Sequence, residues 1–290
     1  MKISYNEACA RDCSTLEQDL ELCEKVGFDY IEIRLDMLVK YLEKHSVDEL
    51  ASFFKTNRIK PHALNALYLY PEFLSEDDDE EKQRALMNEF LIGCMVGKAI
   101  GSHYFIIVPP LQRDPKGGPY RGSWEQTFNS CVRILKSLSD IAYKYDMNLC
   151  FELVGFERSS VRSIEDADKI VRAVDRSNVG FVFDSYNIYL NGGKNNFEKL
   201  KSVQKEKIFA IHMMSADDVD QSEMGQDKRC FCGRGVVDTD LFLRTLKDIG
   251  YDSMVSVETF RPEYWQKTPQ WVIENAYITQ KTALEQNGCL

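Results

Sequence analysis

The chain has 290 residues, 44% of them hydrophobic, with 36 basic against 46 acidic side chains and a net charge of −10. That length suits one large α/β barrel, and a single domain is expected over residues 1–290. The acidic balance argues against a nucleic-acid partner, no apolar run approaches the roughly 18 residues that suggest a membrane span, and no signal-peptide pattern opens the sequence.

Short β-branched or aromatic runs alternate with helical patterns along the chain. The first strand is expected at 2–5 (KISY). The segment 14–27, STLEQDLELCEKVG, then opens on Ser14 as a helix cap and closes on Gly27 as a stop signal. A strand at 30–35 (YIEIRL) precedes a helix at 46–57, and a strand at 60–65 (KPHALN) precedes a long helix at 79–101. The strand at 104–109 (YFIIVP) leads to a helix at 123–145, and the strand at 148–153 (NLCFEL) to a helix at 163–175. The strand at 179–184 (VGFVFD) is followed by a weaker helical pattern at 195–206. Strands at 208–213 (IFAIHM) and 254–259 (MVSVET) bracket a helix at 238–250, and a last helix covers 269–285. Eight strands interleaved with helices predict an α/β fold, a closed (β/α)8 TIM barrel. A doubly wound sheet would carry a Gly-rich phosphate loop after the first strand, and none is there.

The acidic run SEDDDEEK (75–82) reads as a solvated loop entering a helix N-terminus, where acids are favoured. Long loops at 110–122 and 214–238 fall on the C-terminal face, where TIM-barrel sites are built, and suit lids. Nine scattered cysteines read as reduced thiols of a cytoplasmic protein. Cys230 and Cys232 form one CxC, too few ligands for structural zinc.

The stretch NLCFELVGF (148–156) places Glu152 inside an apolar strand, which is costly for an unpaired carboxylate. The next three strands carry Asp184, His212 and Glu258 at the equivalent end. Three converging carboxylates would repel one another, and burial would sharpen that repulsion. One divalent cation removes the conflict, and three oxygen donors with one nitrogen suit Mn²⁺, Co²⁺ or Zn²⁺. The other histidines, His45, His62 and His103, read as structural. Asn6, Glu7 and Glu32, near the ends of the first two strands, are candidates to face a substrate, with Arg34 a candidate partner for one of these acids.

With NEA after the first strand, LELCEKVGFDYIEIR, ALNAL, NVGFVFDS and VSVETFRPEYW, the sequence resembles the xylose-isomerase-like TIM barrels from end to end. This superfamily holds sugar isomerases, epimerases and apurinic endonucleases, and the resemblance is greatest to its inosose-isomerase branch of inositol catabolism. It implies metal ligands at Glu152, Asp184, His212 and Glu258, with Glu152 and Glu258 also the acid–base pair of a proton transfer through an enediolate. It implies a substrate-binding arginine at Arg229, in DKRCFCGRGVVD. Where relatives usually carry histidine three residues after the aspartate, this chain has Asn187, still able to bond a sugar hydroxyl. Cys232 stands where the inositol branch usually has proline. The implied partner is a small polyhydroxy ketone. Other readings are a ketose 3-epimerase, a hydroxypyruvate-type isomerase, an apurinic-endonuclease-like protein and a non-catalytic sugar-binding protein. Tyr68, Tyr70, Phe73 and Trp265 are expected either to shield the pocket or to meet another copy in a homo-oligomer.

Overall fold

The computed structural model describes residues 1–69, 80–112, 114, 118–192 and 196–290. Eight parallel strands close into a barrel in which each neighbours the next in sequence and the last returns to the first. They are β1 Lys2–Asn6, β2 Tyr30–Arg34, β3 Lys60–Tyr68, β4 Tyr104–Val108, β5 Asn148–Glu152, β6 Val179–Asp184, β7 Ile208–His212 and β8 Met254–Val257. Closure is made by β1 on β8, with Lys2 opposite Met254 and Tyr5 opposite Val257.

Strand residues alternate between the two faces of such a wall. Ala63, Ile106, Cys150, Val182, Ala210 and Met254 form one apolar cluster, while Leu64, Phe105, Leu149, Phe181, Ile211 and Val255 join the larger core with the helices. Glu152, Asp184 and His212 share the parity of Cys150, Val182 and Ala210. They therefore belong to the inner face, which explains how a carboxylate can follow apolar residues in β5.

The surrounding helices include α1 Leu16–Val26, α2 Leu35–Leu42, α3 Val47–Thr56, α4 Glu80–Ile100, α5 Trp124–Ala142, α6 Ile164–Val174, α7 Ser185–Gly192, α8 Thr239–Asp248, α9 Pro262–Trp265 and α10 Pro269–Gln286. The cap of α1 is Thr15 and not Ser14: the Thr15 hydroxyl accepts from Gln18 N, while Ser14 donates to the Asp19 carboxylate at 2.5 Å. Gly27 ends α1 in the left-handed region at φ 115°, as a stop residue should. Helix α2 escapes prediction because its first residue follows β2 directly, with no side-chain cap to announce it. The weak pattern at 195–206 resolves into two 3-10 turns, Phe197–Ser202 and Lys205–Lys207. Strand β8 ends at Val257, so Glu258 and Thr259 are just beyond it. In the acidic run, residues 75–79 lie outside the described residues and Glu80 begins α4.

Candidate metal centre

The strand ends bring Glu152, Asp184, His212 and Glu258 together, with one ligand atom from each lying within 4.8 Å of the others. All four are buried. His212 is opposite Asp184 on one side and Ser256 on the other, so the strand register places the imidazole between Asp184 and the strand that leads into Glu258.

Each ligand is held by a second set of side chains. His212 Nε2 is 2.9 Å from Glu32 Oε2, the same oxygen that accepts from Asn6 Nδ2 at 2.8 Å. Glu258 Oε1 accepts from Asn6 Nδ2 at 3.0 Å and from Asn65 Nδ2 at 3.2 Å. Its other oxygen is 3.3 Å from Arg229 Nη1, which also meets Asp184 Oδ2 at 2.6 Å. Asn187 donates to Glu152 Oε1 at 3.0 Å through its side chain and to Asp184 Oδ1 at 2.7 Å through its backbone N–H.

The donor set fits a divalent cation. His212 Nδ1 is buried without a hydrogen-bond partner, yet it is 3.6 Å from Glu258 Oε2 and 4.0 Å from Glu152 Oε1. With Nε2 engaged by Glu32, Nδ1 is the ring atom that faces the carboxylates, the arrangement in which a ligating histidine is oriented by an outer carboxylate.

The electrostatics show the strain of the bare acids. Burial, and then the Glu258 charge, pushes the Glu152 carboxyl up to about 8. Burial opposes the His212 imidazolium, but Glu32 and then Glu258 outweigh it and raise its pKa well above the ordinary value. Burial likewise opposes charge on Glu32, and the neighbouring His212 brings its pKa below the usual carboxylate range.

Above the cluster lies a cavity of about 1060 Å³ whose wall includes Tyr68, Phe156, Phe260, Trp265, Arg162 and Gln226. Tyr68 and Trp265 therefore reach the pocket, while Tyr70 and Phe73 are outside the described residues. Gln226 connects the wall to the centre by accepting from Arg229 Nε at 2.6 Å. The loop after β7 returns through a short antiparallel pair, Ser215–Ala216 with Arg229–Cys230, and this pairing delivers Arg229 to the acids.

Among the sequence candidates, Asn6, Glu32 and Asn187 support the ligands and are absent from the cavity wall. The Arg34 guanidinium pairs with Asp36 at 2.9 Å and not with Glu7 or Glu32, although its backbone N–H donates to Glu7 Oε2 at 2.7 Å. His62 stacks on Tyr104 with ring centroids 4.7 Å apart, His45 pairs with Glu17 at 3.0 Å, and His103 Nδ1 is 3.2 Å from Asp146 O. Asn65 was not foreseen as a site residue; its one signal was its place at the predicted end of β3.

A closed parallel barrel with an O₃N donor set at its C-terminal rim defines a metal-dependent TIM-barrel enzyme. The family model described as xylose isomerase-like TIM barrel matches residues 20–276, and the chain belongs to that family. It is 39% identical over 285 residues to an inosose isomerase of Bacillus velezensis, covering 98% of this chain and 97% of the relative. It is also 39% identical over 282 residues to the inosose isomerase of Bacillus subtilis, covering 96% of each. A crystal structure of IOLI protein with a binding zinc atom superposes with a TM-score of 0.90 at 38% identity, covering 99% of both chains. A D-psicose 3-epimerase structure, at a TM-score of 0.75 and 17% identity over 99% of this chain and 100% of its own, shares the fold.

Proposed function

We propose that this chain is an inosose isomerase, converting one keto-inositol into another by moving the carbonyl to the adjacent ring carbon. The observation that carries the reading is the convergence of Glu152, Asp184, His212 and Glu258, with the buried His212 Nδ1 free of any hydrogen-bond partner. Identity of 36% to 39% with inosose isomerases over nearly the whole chain supports the substrate class.

The chemistry balances without an added reductant. A proton leaves the carbinol carbon beside the ketone, the hydroxyl proton passes to the former carbonyl oxygen, and a proton returns to the former carbonyl carbon through an enediolate. Glu152 and Glu258 are the acid–base pair in this proposal, since they are the two glutamates of the centre and reach it from β5 and from the end of β8. A divalent cation held by Glu152, Asp184, His212 and Glu258 would supply Lewis-acid stabilisation of the negative charge that develops on oxygen. Arg229, buried and absent from the cavity wall, holds Asp184 and Glu258 in place by its ion pairs, and it is joined to that wall through Gln226. Tyr68, Phe260 and Trp265 give the entrance an apolar wall against water.

Among the described residues no helix is long and apolar enough to cross a membrane. The nine free cysteines suit a reducing compartment, and a cytoplasmic location is part of the proposal.

The test is NMR in D₂O with zinc-loaded protein and scyllo-inosose, alongside Glu258→Gln. Formation of 1-keto-D-chiro-inositol that is lost in the variant is the expected result. Zinc-loaded protein that leaves inosose untouched but epimerises ketohexoses would replace this reading with the 3-epimerase one.

A further inference from the structure

We infer that Asn187 is a positioning residue that fixes the Glu152 carboxylate and ties two metal ligands to the loop after β5. This rests on the metal centre proposed above. Asn187 lies in the first turn of α7 and is buried. Every polar group it turns toward the centre has a protein partner. Its backbone N–H donates to Asp184 Oδ1 at 2.7 Å, its Nδ2 donates to Glu152 Oε1 at 3.0 Å, and its Oδ1 accepts from Gly155 N at 3.2 Å. One residue therefore links the ends of β5 and β6.

The bonding also settles which way the amide points. Gly155 N is a donor, so it requires the oxygen; Glu152 is an acceptor when ionised, so it requires the NH₂. The reversed amide would set donor against donor and oxygen against carboxylate. The loop leaves no freedom to slide away, because a Cβ added at Gly155 would stand 2.2 Å from the Asn187 carbonyl oxygen. A histidine at this position would have one ring nitrogen to offer each side and could change its protonation state. The carboxamide keeps one donor on Glu152 at every pH.

A substrate contact and a positioning role predict different losses. If Asn187 bonded a substrate hydroxyl, its removal would chiefly raise KM. If it orients Glu152, removal weakens the cation site and lowers kcat while leaving KM nearly unchanged.

The experiment measures zinc affinity by chelator competition, together with kcat and KM for scyllo-inosose, in wild type and Asn187→Ala. Thermal melts establish that the variant folds, and Asn187→Ser takes its place if it does not. The expected result is a loss of about 10- to 100-fold in zinc affinity, the range typical of outer partners of metal ligands. With zinc saturating, kcat is expected to fall by at least about tenfold and KM to stay within about twofold. Unchanged zinc affinity with a raised KM would overturn the inference in favour of a substrate contact, and unchanged affinity with unchanged kcat would overturn it outright. A wild-type protein that binds no zinc would remove the underlying metal centre as well, so the two failures are distinguishable.

Discussion

Asp19 and Glu7 form a buried acidic pair outside the metal centre, and their burial makes a specific forecast for stability against pH. Asp19 faces inward from α1, and its Oδ2 has no hydrogen-bond partner; nor does Glu7 Oε1 or the Tyr5 hydroxyl. Burial pushes the Asp19 carboxyl from 3.8 up to about 8, against the opposing hydrogen bond from Ser14. Glu7 is raised by burial and then by Asp19, with the Arg34 backbone N–H pulling the other way. A carboxyl whose folded pKa exceeds its unfolded value stabilises the fold fully below the unfolded pKa, and that contribution disappears as pH rises through the folded one. The gap of about four units corresponds to an upper bound on the order of 5 kcal/mol, at roughly 1.4 kcal/mol per unit. Asp19→Asn replaces the protonated acid by a neutral group of the same shape. The melting temperature of the variant should therefore gain on that of wild type by on the order of 10 °C between about pH 5 and pH 8.5, taking about 2–4 °C per kcal/mol for a chain of this size. Differential scanning fluorimetry of the two proteins over this range reads the difference, which includes the relief of Glu7 once position 19 carries no charge. A difference that stays flat with pH, or that favours wild type as pH rises, would refute the assignment of a neutral acid in this pair.

Three further outcomes follow from the centre and its loop. Dialysis against EDTA should lower the melting temperature, and a divalent cation at about 100 times its Kd should return about 2.7 kcal/mol of stability; a melt indifferent to both would count against the O₃N site. Glu32→Gln removes the charged acceptor shared by His212 Nε2 and Asn6 Nδ2, and zinc affinity by isothermal titration should fall about 10- to 100-fold. At Gly235 an added Cβ would come 1.9 Å from Ala216 O. Gly235→Ala should therefore destabilise the protein by about 2–4 kcal/mol in urea unfolding and disturb the strand pair that carries Arg229; a wild-type midpoint would show that this loop readily gives way.

The barrel and the clustering of its four candidate ligands were legible for one physical reason. A β-strand lined by apolar residues gives no favourable place to a carboxylate, so Glu152 and Asp184 were visible as exceptions, and His212 and Glu258 joined them by position in their own strands. The same period of two placed all four on a common face once the sheet closed. Strand ends were less sharp: β3 runs to Tyr68, beyond the predicted 65, and β8 stops one residue before Glu258. Helix α2 was missed because Leu35, Met37, Leu38 and Tyr41 bury a good apolar face, but the segment has no capping side chain and begins where β2 stops. Ser14 and Thr15 are adjacent hydroxyls that can both cap, and the competing bond from Ser14 to Asp19 leaves the cap to Thr15.

The supporting residues were harder to foresee, because their function arises from closure. Asn6 reaches Glu258 across 252 residues of sequence and Asn65 reaches it across 193, contacts that exist only because β1 pairs with β8 and β3 lies across the barrel. An asparagine near a strand end has no distinctive cost of burial, since turns, caps and solvent accommodate it equally well. The acids, by contrast, are exceptional wherever they are buried. This difference also accounts for the unequal surroundings of the two glutamates. Glu258 sits where closure gathers Asn6, Asn65 and Arg229, three donors from separate parts of the chain. Glu152 faces the side of the rim served by α7, with Asn187 as its hydrogen-bond donor. Burial and the neighbouring Glu258 drive its carboxyl toward protonation. A cation shared between these groups would offset the repulsion between Glu152 and Glu258 that drives it there.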